Sequence, residues 1–366
     1  MTPWLFDRRT DLWAFGGSAA LSVALFLLLH AVGLADAATP PWAFLLLVVG
    51  VDVAHVWSTI YRVYLDTEEL ARRRMLYVGV PLITYAVGVV LHWQGSHVFW
   101  RALAYLAVFH FVRQQYGWVM WYRRNAREPL GARLRVDQVA IYAATLGPLL
   151  WWHSRLPLPF HWFVKDDFVP GLPTWVGDVA LGLEALCLVV YGLAHAHARG
   201  AQPWGKHLVV GSPALCWFLS IVLAGGDLAF TVVNVLPHGI PYLVLCRRYA
   251  RGRARSTGEG GGVAAALMRG GVAVYLGSVV ALAYVEEAVW EWTIWHDHPS
   301  LFGELTLDVA TSWHALLVPL LSLPQASHYV LDGFIWRGGP RNPLLAPALA
   351  PHVDAGGAVA SGGRTG

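Results

Sequence analysis

The chain has 366 residues, 56% of them hydrophobic and only 13% charged, against roughly 25% charged in a soluble globular domain. Its formal charge of +3 is carried almost wholly by arginine, since Lys165 and Lys206 are the only lysines, and nothing in it resembles the concentrated basic face of a nucleic-acid binder. The three cysteines, Cys187, Cys216 and Cys246, all lie inside apolar runs and imply neither a disulfide framework nor a thiolate metal site. This is the composition of an integral membrane protein, and its 19 Trp and 14 Tyr suit the aromatic belts at the two membrane interfaces.

Apolar runs near the length needed to cross a bilayer, about 20 residues, lie close to 12–34, 42–63, 75–93, 98–121, 136–152, 173–197, 207–224, 227–247, 263–285 and 312–336. They predict an all-α, polytopic bundle of about ten transmembrane helices, forming one domain over 1–337. The Gly-, Ala- and Pro-rich segment 338–366 is expected to be a disordered cytoplasmic tail. The first run ends near "ADAAT", a small-residue stretch like a signal-peptide cleavage site, but its apolar stretch exceeds the usual signal core, so it is read as a retained helix.

The basic residues between the runs test this topology. Alternate loops collect 22 of the 26 Lys and Arg, the opposite loops hold only Arg101, Arg155 and Lys165, and Arg113 lies within a run. The asymmetry predicts both termini on the cytoplasmic side of a bacterial plasma membrane.

Four of the five helices that would run from outside to inside carry a histidine in the inner half: His55, His110, His238 and His328. The first inner-side arginines beyond them are Arg62, Arg123, Arg247 and Arg337, which at about 1.5 Å per residue puts the four rings roughly 10 to 20 Å from the basic edge. Each has a polar companion three or four positions away, on the same helix face: Asp52, Gln114, Asn234 and Asp332 respectively. Ionisable groups within a span are costly and usually face the bundle interior. Neutral imidazoles with carboxylates suit iron, copper or zinc, and two His with one carboxylate is a common non-haem iron set.

The expected metal ligands are therefore drawn from His55, His110, His238, His328, Asp52 and Asp332. Gln114, Asn234 and Gln325 are candidates to orient ligand rings, and Arg113 to act as counter-charge or anion contact. Pro237 and Pro241 flank His238 and Gly239, while Pro319 and Pro324 precede His328, and such breaks fit a cavity at the histidine layer. The plainer reading of each histidine is an interhelical hydrogen-bonding residue. Arg62 and Arg337 are expected to snorkel to the interface, and Tyr116, Tyr242 and Tyr329 to serve as packing groups.

The remaining histidines lie elsewhere. His92, His97, His153, His161, His296, His298 and His314, with His30, fall on the outer side, where Glu286, Glu287, Glu291 and Asp297 would join them in a solvated or interfacial loop or an entry site. His195, His197 and His207 are expected at the inner edge, His352 in the tail, and Glu184 within the sixth helix, facing either the cavity or a neighbour.

The strings "HFVRQQYG", "PHGIPY" and "HYVLDGFIWR" resemble motifs of multi-pass bacterial membrane proteins. The His-bearing helices and "PHG" at 237–239 also resemble the membrane dioxygenases that cleave β-carotene to retinal, multi-helix proteins with histidine-bound iron. The spaced HxxxH and HxxHH boxes of membrane desaturases are absent. The resemblance implies a membrane metal oxygenase, without assigning any residue a role.

These readings converge on a membrane oxidoreductase holding one or two non-haem iron ions, using dioxygen on a lipid-soluble substrate such as an acyl chain or isoprenoid, with a possible redox partner. Two other classes stay open. A haem b electron carrier would use histidines about four turns apart. His314 and His328, 14 residues apart, return to within about 40° of one face, whereas His97 and His110, 13 apart, are about 140° out of phase. A proton- or ion-coupled transporter would use the same polar layer with the Pro-broken eighth helix as its binding site.

Overall fold

The computed structural model describes residues 4–158, 161–197, 203–257 and 262–350. Among them the chain is helical throughout, without a strand. Ten long segments organise it, here labelled α1 (Arg8–Ala31), α2 (Pro41–Tyr61), α3 (Arg74–Gln94), α4 (Ser96–Asn125), α5 (Ala132–His153), α6 (Thr174–Ala196), α7 (Trp204–Leu223), α8 (Asp227–Thr257), α9 (Gly271–Trp295) and α10, whose halves His314–Leu321 and Leu323–Ile335 meet at Ser322. All but α4, α5 and α10, seven in number, are long and apolar enough to cross a membrane. Leucines, valines and tryptophans on their outward faces, among them Trp13, Leu27, Leu82, Ile83 and Leu186, are exposed, as in a bundle whose surroundings are hydrocarbon.

The long polar segment of α4 explains why it falls short of a membrane-spanning hydropathy: His110, Arg113, Gln114 and Gln115 interrupt it, and all but Arg113 are buried. The structure turns the other three inward, so the helix is polar toward the bundle, and only Arg113 of the four is exposed. α8 is the central element, with 83% of its most apolar window buried against 17–44% in the other six apolar helices. It packs on α1, α2 and α7, while α4 packs on α3, α5, α7 and α10. Pro237 and Pro241 do not divide α8, which runs unbroken through "PHGIP". α10 does bend, at Ser322 between Pro319 and Pro324.

Several expectations change here. α9 continues through 286–295, so Glu286, Glu287 and Glu291 are buried helix residues and not part of an outer loop. Residues 338–350, expected to belong to a disordered tail, carry the helix Leu345–Leu349, whose Ala348 carbonyl rests on Gly252 of α8. His352 and Arg364 lie outside the described residues, as does Arg199.

Arg62 does not snorkel. It is fully buried beside the equally buried Glu69, with Nη1 3.3 Å from a Glu69 carboxylate oxygen, and it donates to Asn342 Oδ1 (2.6 Å), the Ile335 carbonyl (3.0 Å) and Tyr249 Oη (3.2 Å). Glu69 is also bonded by Arg72 and Tyr77, and neighbouring Asp66 caps the helix Thr67–Arg72 while accepting from Tyr249 and Arg253 at 2.7 Å each. This network ties α2, α8, α10 and the segment after α10 into one end of the bundle. Arg337, by contrast, is exposed as expected, over the Phe334 ring.

Burial alone would raise the Glu69 and Asp66 pKa values, but Arg62, Tyr77 and Arg72 at Glu69, and Arg253 and Tyr249 at Asp66, outweigh it and hold both below the ordinary carboxylate range. A depressed carboxylate stabilises the fold above its unfolded pKa and loses that contribution as pH falls through its folded one. The thermal midpoint of the detergent-solubilised protein is therefore expected to fall as pH drops below about 4. Glu69→Gln should flatten that dependence and destabilise by about 3–5 kcal/mol at neutral pH, because Arg62 is left buried without its carboxylate. A wild-type profile that is flat in acid would contradict the assignment.

Candidate metal centre

Four helices each deliver one imidazole to a common point. His55 of α2, His110 of α4, His238 of α8 and His328 of α10 are 1–2% exposed. Their ring centroids lie 4.6 Å (110–328), 4.7 Å (55–238), 5.0 Å (55–328), 5.2 Å (110–238) and 6.4 Å (55–110) apart. His55, His110 and His238 each offer a ring nitrogen within 4.8 Å of the others, and His110, His328 and Asp332 form a second such group sharing His110.

Local sequence accounts for the convergence. α2 carries a π-helical stretch over Phe44–Val53, ending just before His55, and such widened turns re-aim the side chains that follow them. Gly239, beside His238, lets α8 approach α2 closely: a Cβ there would lie 2.7 Å from Val51 Cγ1, 3.2 Å from the Val51 carbonyl and 3.6 Å from His55 Cβ. Phe111, next to His110, stacks on the His238 ring with centroids 3.6 Å apart and fixes its plane.

Hydrogen bonds set the His328 tautomer. Tyr242 Oη donates to Asp332 Oδ1 at 2.6 Å, so its oxygen accepts, from Trp336 Nε1 at 3.2 Å and from the Thr59 hydroxyl at 3.1 Å. Thr59, having given its proton to Tyr242, must accept from His328 Nδ1, 2.8 Å away. That leaves a lone pair on His328 Nε2, which faces His110 Nε2 at 3.2 Å. Two nitrogens bound side by side to one metal at about 2.0–2.1 Å each would be roughly 3.0–3.4 Å apart. The observed spacing fits a shared ion.

The carboxylates occupy the other sides of the rings. Asp52 Oδ1 lies 3.5 Å from His55 Nδ1, and Asp332 Oδ2 lies 3.5 Å from His110 Nδ1. This is where carboxylates sit when they orient a metal-bound histidine through its remote nitrogen. Both nitrogens of His55 and both of His238 are buried without a hydrogen-bond partner. A neutral imidazole always carries one N–H and one lone pair, and leaving them unmet in the interior costs about 1–3 kcal/mol per group. A cation bound by these lone pairs would remove that deficit, so the donor set fits a transition metal.

The supporting residues behave differently from expectation. Gln114 donates to the His238 carbonyl at 2.9 Å and so braces the backbone of α8, not a ring. Asn234 turns away, to Ser220 Oγ (2.7 Å) and the Phe230 carbonyl (3.0 Å). Gln325 makes no hydrogen bond to any of the four histidines among the described residues. Arg113 donates to Tyr142 Oη and lies over the Tyr116 ring, so it does not reach the cluster. Thr59, Tyr242 and Trp336, in contrast, complete the site. Each stands four residues after His55, His238 or Asp332, the same-face spacing that identified the other pairs. Tyr329 stacks on His110 at 4.8 Å and so packs against the site as expected, whereas Tyr242 is more than a packing group because it hydrogen-bonds Asp332.

The other histidines stay apart. His298 pairs with Glu291 (2.7 Å), His153 with Tyr105 (3.1 Å) and the Leu149 carbonyl (2.9 Å), and His314 with the Val309 carbonyl (3.1 Å), while His97 is exposed. His195 is not interfacial but buried against Asp137 at 2.7 Å, in a network with Arg123 and Lys206, and His207 bonds Tyr191. Glu184 packs where Gly147 of α5 leaves room and does not line the cavity described next.

A cleft of about 670 Å³ between α4 and α10, floored by α8, reaches His110 and Asp332. A smaller cavity of about 270 Å³, mostly apolar, opens on the other side of His328 beside Thr59 and Ser327.

Gly239→Ala should push α8 from α2, destabilising the protein by about 1–3 kcal/mol as for an overpacked core and reducing the metal that co-purifies. Gly79→Ala, where a Cβ meets open space, should leave both unchanged. Equal thermal midpoints for the two variants would show that the close approach does not constrain the site. No protein-family model, curated protein or solved structure matches the chain.

Proposed function

We propose that the chain is a ten-helix membrane oxidoreductase whose four-histidine centre holds one or two transition-metal ions, with non-haem iron the best fit, and acts with dioxygen on a lipid-soluble substrate. The observation that carries this reading is the meeting of four imidazoles from four helices, two of them with both nitrogens unpartnered. Imidazole donors favour iron, copper or zinc over calcium or magnesium. Iron is the member of that set whose redox chemistry suits oxygenation, and it agrees with the resemblance to β-carotene-cleaving dioxygenases.

The protein's part is then defined by its own residues. His55, His110, His238 and His328 hold the ion, Asp52 and Asp332 orient His55 and His110, and the chain Thr59, Tyr242, Asp332 keeps the His328 tautomer that binds metal. When bound, the metal would supply oxygen activation and electron transfer. The apolar walls of the two cavities keep bulk water from the centre and give a lipid chain and a small apolar gas separate approaches. The arginine asymmetry, 22 against 3, supports ten spans in a bacterial plasma membrane with both termini in the cytoplasm.

Haem b finds less support, because two axial imidazoles at about 2.0–2.1 Å on opposite faces of one haem iron would stand roughly 4 Å apart with the porphyrin between them, whereas His110 Nε2 and His328 Nε2 are 3.2 Å apart. Elemental analysis of the purified protein should find iron near one or two equivalents and no Soret band. His110→Ala/His328→Ala should retain a tenth of it or less at an unchanged elution position, and equal metal in both proteins would reject the site. Tyr242→Phe removes the hydroxyl that donates to Asp332 and accepts from Thr59 and Trp336, so it also frees the Thr59 proton that sets the His328 tautomer, and should weaken metal affinity about 10-fold, within the range for an outer partner of a ligand.

A further inference from the structure

The large cleft is asymmetric in charge. At its deep end stand His110 and Asp332, with Arg113 one turn from His110 but engaged by Tyr142 and the Tyr116 ring, and at the basic end of the bundle its wall includes Arg124 of α4 and Arg337 just beyond α10. The Arg124 guanidinium lies against Gly338, so the two arginines are neighbours across the mouth. Neither has a carboxylate within 4.0 Å among the described residues, although Arg62, Arg72, Arg73, Arg123, Arg155, Arg248 and Arg253 all do. Between the ends the walls are aromatic and aliphatic, with Trp121, Met120 and Phe334 among them. Gly117 and Gly333 sit midway on the facing helices, and a Cβ at either would meet open space, so the groove between them is empty of side chains.

We infer that this cleft binds a single-chain amphiphile with an anionic head, the head held by Arg124 and Arg337 and the chain running along Gly117 and Gly333 to the histidine centre. The inference rests on the metal-centre reading only for where the chain ends. His328 to Arg337 is nine residues and His110 to Arg124 is fourteen, which at about 1.5 Å per residue places the head roughly 14–21 Å from the centre. The guanidinium fork suits a carboxylate or phosphate, and a volume of about 670 Å³ is that of a pocket for one small molecule. The occupant to which the charge and size commit the site is a long-chain carboxylate.

The test uses the full chain in neutral detergent with cis-parinaric acid and its methyl ester as fluorescent probes, and metal content measured on the same samples. Wild type should bind the acid at least 10-fold more tightly than the ester. Arg124→Gln/Arg337→Gln should abolish that preference while leaving ester affinity and metal content unchanged. Gly117→Leu/Gly333→Leu should weaken both probes at least 10-fold with an unaltered thermal midpoint. Equal binding of acid and ester by wild type, binding of neither, a preference that survives the arginine changes, or leucines that leave both affinities intact would each overturn the inference. Loss of metal from His110→Ala/His328→Ala is read independently, so either idea can fail alone.

Discussion

An imidazole in the interior of a helical bundle must place one N–H and one lone pair without help from water, and the architecture around the centre follows from that requirement. His328 meets it through Thr59, whose own proton passes to Tyr242 and whose orientation is thereby fixed by Asp332. His110 turns its Nδ1 toward Asp332, 3.5 Å away, and its Nε2 toward His328 Nε2, 3.2 Å away, where the two lone pairs would be met by a shared ion. His55, with only Asp52 at 3.5 Å from Nδ1, and His238 make no hydrogen bond through either ring nitrogen, although their neighbours are rigid and close. Strain of this kind persists only where something else over-determines the structure. Here the close packing of α2 on α8 holds the two unpartnered rings 4.7 Å apart whether or not they are compensated.

That packing is a property of small residues and helix irregularity, not of the histidines. Gly239 allows the backbones to approach, and the π-helical stretch before His55 brings its ring round to face α8. Far from the centre, Arg62 and Glu69 lock the basic end of the same helices with a fully buried ion pair, supplemented by donors to Asn342 and the Ile335 carbonyl. A buried pair is weak evidence of net stability, but breaking it is costly. Its effect is to fix the register of α2 against α8 and α10, which carry three of the four imidazoles.

Much of this was legible in the sequence because membrane helices constrain depth. Counting residues from each histidine to the next arginine placed four rings in one layer, and same-face spacing picked out Asp52 and Asp332 correctly as neighbours of the cluster. The same rule overreached at Asn234, because four residues along a helix fixes a face but not which of two flanking helices a side chain bonds, and Ser220 of α7 won. Thr59, Tyr242 and Trp336 obeyed the rule equally well and were passed over, since hydroxyls and indoles in membrane helices are too common to stand out by composition. Arg62 and the α9 glutamates were misplaced for another reason. Hydropathy assigns charges to the surface by default, and only tertiary pairing, as with Arg62 and Glu69 or with Trp57 and Glu286 at 2.5 Å, makes their burial tolerable.

The arginines at the basic end thus fall into two populations that topology alone does not separate. The positive-inside bias would account for their clustering at one end, and it would be satisfied by any of them pointing into water. Arg62, Arg123 and Arg253 are instead consumed by carboxylates, which removes them as fields acting on anything outside the fold. Arg124 and Arg337 keep their charge uncompensated, and they do so at the mouth of the one described cleft that reaches His110. A cation without a carboxylate partner at the end of a wall that is otherwise largely aromatic and aliphatic raises the local preference for an anion attached to a hydrocarbon chain. Orienting the bundle accounts for the sign of those two charges but not for their place at the mouth of this cleft, nor for Gly117 and Gly333 standing bare between them and the centre.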